Sequence, residues 1–258
     1  MKTQAPHLSA KEVQLGLGRR EFHAYLQPKF DLRTGKVDAA EVLARWHHPF
    51  RGVLQPAHFI PLIKHVESLD ELLFELLKQG LAFQLKLHSR GRLINLAFNL
   101  SLSQLTSGSL VDRLREKLLK HPLPLCTLTF EITEDGPAVV SYSQFEQINR
   151  LNDLGVRLSV DDFGTGYSSM LRLCQIPFSE IKLAREFIHR IDESVLCRAV
   201  IRNTLALAEE LGIQTVMEGI ETDVQRTRLI EMGARTGQGF LCARPLSVDK
   251  FETWLNDH

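Results

Sequence analysis

A set of polar residues lies at or near the ends of short apolar runs in this 258-residue chain. Asn99 closes FNLS, Glu131 sits near the end of TFEIT, and Asp161 and Asp162 end LSVDD. Lys182 lies in EIKLA, Glu218 near the end of TVMEG, and Gln238 in GQG, while Glu41 interrupts the apolar stretch AAEVLARW. A single acid at a strand end is ordinarily a helix cap or half of a surface pair. Five carboxylates (Glu41, Glu131, Asp161, Asp162, Glu218) brought to one place behave differently, because they repel one another and need cations to remain ionised. All-oxygen donors without His or Cys select hard metals such as Mg²⁺, Mn²⁺ or Ca²⁺. An adjacent Asp-Asp pair lets one carboxylate bridge two ions while its neighbour holds the second. That is the arrangement of two-metal phosphoryl chemistry.

These residues meet only if the runs that carry them are parallel strands. Two strand-like runs, Phe22–Leu32 and Lys36–Trp46, flank the turn Arg33-Thr34-Gly35. Helical periodicity follows from Pro56 to about Val66 and from Leu69 to about His88. Beyond it, strand and helix alternate. The strands are expected at Arg92–Leu100, Leu128–Thr133, Val156–Phe163, Glu180–Ala184, Gln214–Ile220 and Thr236–Phe240. The helices are expected at Ser109–His121, Ser141–Asp153, Ser168–Leu173, Ser194–Leu211, Thr222–Met232 and Val248–Asn256. This alternation predicts an α/β fold with a mainly parallel sheet, and the strand number favours a closed barrel over two open sheets. In such a barrel the C-terminal strand ends converge on one mouth. Residues 1–20 read as a polar N-terminal segment, a helix or the remnant of a linker, and 21–258 as one domain.

The 31 basic side chains balance the 31 acidic ones, so no global field gathers DNA, RNA or an anionic membrane. Cys126, Cys174, Cys197 and Cys242 are far apart and lack metal-ligand spacing, which fits reduced thiols better than a disulfide framework. The N-terminus has no apolar signal region, and no apolar run approaches the roughly 20 residues of a spanning helix. A cytoplasmic protein without a membrane partner is expected.

Taken in order, the motifs resemble the EAL-domain family of bacterial cyclic di-GMP phosphodiesterases from about Phe22 to the C-terminus. The matching stretches are YLQP (Tyr25–Pro28), EVLARWHHP (Glu41–Pro49), FNLS (Phe98–Ser101), FEITE (Phe130–Glu134), DDFGTGYSS (Asp161–Ser169), MEGIET (Met217–Thr222) and GQGFLCARPL (Gly237–Leu246). The resemblance implies a TIM-like (β/α)8 barrel whose first strand runs antiparallel. It also implies hydrolysis of cyclic di-GMP to linear pGpG with two divalent cations, Mg²⁺ or Mn²⁺, and inhibition by Ca²⁺. Carried over by motif, Glu41, Asn99, Glu131 and Asp161 hold one cation, and Asp161, Asp162 and Glu218 the other. Lys182 orients the attacking water and Gln238 supports that water or the second ion. Arg45 meets a substrate phosphate, and Gln27 and Leu43 shape the guanine and ribose pocket. The segment Asp162–Ser169 corresponds to a family loop braced by Glu134, which in relatives connects the metal site to a homodimer interface.

Two positions depart from the family pattern. Val42 replaces the middle alanine of the signature triplet, which adds only bulk. Ala184 stands where an acid usually follows two residues after the lysine, so a weakly active or inactive cyclic di-GMP receptor is the alternative reading. A protein-interaction module that has lost the nucleotide has no use for Gln27, Glu41 and Arg45. An unrelated barrel metallohydrolase usually carries an HxH pair, whereas His47-His48 are adjacent and are expected in a loop before Pro49. The GTG at 164–166 lacks dinucleotide-loop spacing, and the broad apolar stripe of LDELLFELLKQGLAF is expected to face the core.

Overall fold

The computed structural model describes residues 8–106, 108–133, 140–165 and 169–257. The chain opens with α1 (Ala10–Gly18), β1 (Phe22–Asp31), β2 (Val37–His48), β3 (Gly52–Leu54), α2 (Pro56–His65) and α3 (Leu69–His88). Next come β4 (Asn95–Leu100), α4 (Gly108–Leu118), β5 (Leu128–Ile132), α5 (Tyr142–Asp153), β6 (Arg157–Phe163), α6 (Ser169–Gln175) and β7 (Glu180–Leu183). The last part contains α7 (Arg185–His189), α8 (Val195–Leu211), β8 (Gln214–Met217), α9 (Asp223–Glu231), β9 (Thr236–Gln238), β10 (Leu246–Ser247) and α10 (Val248–Asp257).

Strand neighbours run β1-β9-β8-β7-β6-β5-β4-β2, and β2 pairs back onto β1, closing a barrel of eight strands. β1 is antiparallel to both of its barrel neighbours, while the pairs from β2 round to β9 are parallel. The TIM-like barrel with an antiparallel first strand is therefore present. β3 and β10 are short additions at its rim.

Coverage on both faces leaves every residue of β5 (LTFEI) and of β7 (EIKL) buried, with Glu131, Glu180 and Lys182 among the apolar side chains. The helices are started by local chemistry. Ser141 with Gln144 and Thr222 with Gln225 form reciprocal capping boxes at α5 and α9, and Gly212 ends α8 with a left-handed φ of 67°. The stripe on α3 faces the core as expected, burying Leu72, Leu73, Leu76, Leu77, Leu81, Phe83 and Leu87.

Several boundaries differ from the sequence reading. The described part of the N-terminal segment contains α1, capped by Ser9 and Glu12, with Val13 buried against the barrel. A Cβ at Gly16 would lie 2.9 Å from the Trp46 indole nitrogen, so glycine lets this helix approach. His47 and His48 are not in a loop but close β2, because the extended ladder continues to pair with β3 at Val53 and Gly52. His47 is exposed and His48 buried, the alternation a strand imposes. The strand expected over Thr236–Phe240 ends at Gln238, where Gly239 leaves the ladder pressed against Ile220.

Candidate active site

Barrel register gathers the polar residues. Asn99 lies opposite Glu131, and Gln27 opposite Glu41. Glu131 pairs with Ser159, Ser159 with Glu180, and Lys182 with Val216. Moving two residues onward along a strand keeps the same face, so Asp161, Lys182 and Glu218 form a layer one step nearer the mouth than Glu131 and Glu180. Strand alternation alone would send Asp162 away from Asp161. A register irregularity in β6 between Val160 and Phe163, with Asp162 at a left-handed φ of 53°, turns it back. Carboxylate oxygens of Asp161, Asp162 and Glu218 consequently lie within 4.8 Å of one another.

Lys182 is the hub of this cluster. Its ammonium lies 2.7 Å from Asp161 Oδ1, 2.8 Å from Glu218 Oε1, 2.9 Å from Glu131 Oε2 and 3.4 Å from Glu41 Oε2. Asn99 Nδ2 donates to Glu41 Oε1 at 2.9 Å. Gln238 Nε2 donates to Glu41 Oε2 at 2.6 Å and to Gln27 Oε1 at 3.2 Å.

A second buried lysine, Lys29 in β1, joins the cluster without belonging to any of the motifs. Its ammonium lies 2.7 Å from Glu180 Oε1 and 2.9 Å from Glu131 Oε1. A lysine inside the apolar run FHAYLQPKF, and a glutamate opening the strand that carries Lys182, were the signals available. Only the closed barrel brings the two together.

The charges do not balance by themselves. Glu41, Glu131, Asp161, Asp162, Glu180 and Glu218 surround Lys29 and Lys182, so full ionisation leaves four negative charges in excess. Burial pushes the Glu218 carboxyl up to about 8 and also raises Glu41, Asp161 and Asp162. Glu131 is the exception. Burial opposes its ionisation, yet the ammonium groups of Lys182 and Lys29 hold it down at about 2. Burial likewise disfavours charged Lys182, but the acids around it raise its pKa well above the ordinary value.

The donor set fits divalent cations. The excess charge equals that of two such ions, the donors are oxygens, and Gln238 Oε1 is buried without a hydrogen-bond donor among the described residues. A cavity of about 370 Å³ opens over the cluster, lined in part by Gln27, Glu41, Leu43, Asp161, Asp162, Lys182, Glu218 and Gln238. Leu43 and Glu41 also border a second, apolar cavity of about 250 Å³ towards α2 and α3, on which Asn99 opens. Arg45 lies farther along β2, half-buried, with its guanidinium 5.6 Å from the Tyr25 ring centre and Nη1 donating to the Ala44 carbonyl at 2.7 Å. Glu134, and residues 166–168 of the expected loop, lie outside the described residues.

The same arrangement of chain is found in known proteins. The model of the EAL domain matches residues 10–245. RocR of Pseudomonas aeruginosa, a cyclic di-GMP phosphodiesterase, is 46% identical over 243 residues, covering 94% of this chain and 62% of RocR. The chain thus spans about three fifths of that relative's length. The solved structure of the PaMucR phosphodiesterase in complex with c-di-GMP superposes with a TM-score of 0.85 at 33% identity, covering 93% of this chain and 98% of that one. An EAL domain protein from Listeria monocytogenes EGD-e gives a TM-score of 0.86 at 26% identity, covering 98% and 100%. With the motif order, the barrel and these matches in agreement, the chain belongs to the EAL domain family.

Proposed function

We propose that this chain hydrolyses one phosphodiester of cyclic di-GMP, giving linear pGpG, at a site that takes two divalent cations, Mg²⁺ or Mn²⁺. The observation that carries the reading is the convergence of Glu41, Glu131, Asp161 and Glu218 on the single ammonium of Lys182, with Asp162 turned in beside them. When bound, the cations supply an activated water and charge stabilisation for an in-line displacement. Glu41, Asn99, Glu131 and Asp161 would hold one ion, and Asp161, Asp162 and Glu218 the other.

The chain's own groups do the rest. Lys182 carries a fixed positive charge and donates hydrogen bonds into the centre of the acid cluster, where it orients the water oxygen and stabilises charge growing on the phosphoryl oxygens. Gln238, tied to Glu41 and Gln27, positions its free carbonyl oxygen toward that water or the second ion's shell. Gln27 and Leu43 shape the guanine and ribose pocket, and Arg45 meets a substrate phosphate. The protein works as a homodimer.

One observation favours a second reading, a cyclic di-GMP receptor with little turnover: Ala184 is fully buried and supplies no carboxylate near Lys182. The experiment is product analysis of cyclic di-GMP incubated with the purified protein and Mg²⁺, Mn²⁺ or Ca²⁺. Formation of pGpG with Mg²⁺ or Mn²⁺ but not with Ca²⁺, whose loose coordination suits a near-octahedral site poorly, is expected. Intact substrate bound by folded protein would establish the receptor instead.

A further inference from the structure

Beneath the cavity lies a buried ion pair with no part in the chemistry proposed above. Lys29 Nζ donates to Glu180 Oε1 at 2.7 Å, and the same ammonium lies 2.9 Å from Glu131 Oε1. Lys182 meets the other oxygen of Glu131, Oε2, at 2.9 Å. Lys29, Glu131 and Glu180 are all buried, and none of the three lines the cavity over the acid cluster. The result is a row of alternating charge, Glu180–Lys29–Glu131–Lys182, that climbs from the barrel interior toward the mouth.

Stability does not account for Lys29 and Glu180. Desolvation of two buried charges offsets much of their attraction, so an apolar pair of similar size usually serves a core as well. Charge balance does not account for them either, because the positive lysine and the negative glutamate cancel and leave the excess at the mouth unchanged. What the pair supplies is a direction. The terminal torsion of a glutamate is broad and roughly two-fold, so an untethered Glu131 is free to turn either oxygen, or both, toward a cation. With Oε1 drawn to Lys29, only Oε2 faces Lys182 and the acids beyond it. Resting on the reading that Glu131 is a cation ligand, we propose that Lys29, anchored by Glu180, is a positioning residue that fixes Glu131 so that it gives the cation a single oxygen. Groups that orient a metal's carboxylate ligands from behind set affinity and rate without touching the metal.

The test uses Lys29→Met/Glu180→Leu, which removes one positive and one negative charge together and leaves the net charge of the barrel interior unchanged. Mn²⁺ affinity is measured by titration calorimetry, and kcat and KM for cyclic di-GMP at saturating Mn²⁺, all below the variant's own Tm. Mn²⁺ affinity and kcat are each expected to fall by about 10- to 100-fold. KM should stay within a few fold, because Lys29 and Glu180 lie outside the cavity. A merely structural defect would instead lower the number of binding-competent molecules and leave the affinity of the remainder as in wild type. Mn²⁺ affinity within twofold of wild type in the folded variant overturns the proposal. A crystal structure of the wild-type protein with Mn²⁺ needs no variant: Glu131 is expected to take the ion through one oxygen while the other stays on Lys29. A bidentate Glu131, or a Lys29 turned away from it, overturns the proposal equally. Wild-type protein that binds no Mn²⁺, or binds it without Glu131, refutes the cation reading itself, a result distinct from a Glu131 ligand indifferent to Lys29.

Discussion

The unbalanced acid cluster predicts that the metal-free protein loses stability as pH rises through neutrality, and that divalent cations reverse the loss. Glu218 is the group whose titration is placed most clearly, since burial lifts its pKa from 4.5 to about 8. A group whose folded pKa is raised gives stability that is complete below the unfolded pKa and gone above the folded one. The folded state keeps a proton between those limits that the unfolded state has released. The full difference corresponds to about 5 kcal/mol, of which about 2 kcal/mol falls between roughly pH 6 and pH 8. Glu41 and Asp161 are shifted in the same direction, whereas Glu131, held at about 2, does not titrate in this window. For a domain of this size about 2 kcal/mol lowers Tm by roughly 4–8 °C. The assay is differential scanning calorimetry in EDTA across that range, repeated with Mg²⁺ or Mn²⁺. Cations bind the ionised acids, so their stabilising effect should be larger at the alkaline end. A metal-free Tm that is flat or rising with pH, or a cation effect larger at the acidic end, would refute the electrostatic argument.

Three further outcomes follow from the same geometry. Lys29→Met strips the buried partner from Glu180 and one of two from Glu131. It should cost about 3–5 kcal/mol in denaturant unfolding, with a substantial share regained by adding Glu180→Leu; an unchanged midpoint would show the pair to be neutral. Glu41→Ala and Asp161→Asn should each abolish pGpG formation while the circular dichroism spectrum stays native-like, and near-normal turnover in either would remove that residue from the cation shell. Ala184 is the N-cap residue before α7, gives no side-chain cap hydrogen bond, and lies fully buried two residues after Lys182. Ala184→Asp is expected to raise kcat/KM, and an unchanged rate would show the missing acid to be dispensable.

Much of the molecule was legible before any coordinates. Apolar runs alternating with helical periodicity pointed to the barrel, because strands covered on both faces are mostly apolar and each parallel crossover needs a helix. Acids that interrupt such runs near their ends could only face the mouth, so Glu41, Glu131, Asp161 and Glu218 were identifiable by type and position. The ordered motifs then supplied the family. Less legible were features set by where the chain turns. His47 and His48 were expected in a loop because Pro49 follows, yet pairing with β3 extends the strand past them.

What the sequence by itself determined was which side chains reach the mouth, since period and placement along a strand fix the face. What the tertiary structure decided was how they meet. Asp162 joins Asp161 only because a left-handed backbone and a broken register override the alternation of the strand. Lys29 finds Glu180 across 151 residues of sequence, and Gln238 finds Glu41 across 197, through closure of the barrel by an antiparallel strand. Local patterns carry the direction of each side chain, but distances between strands remote in sequence exist only after the sheet has closed.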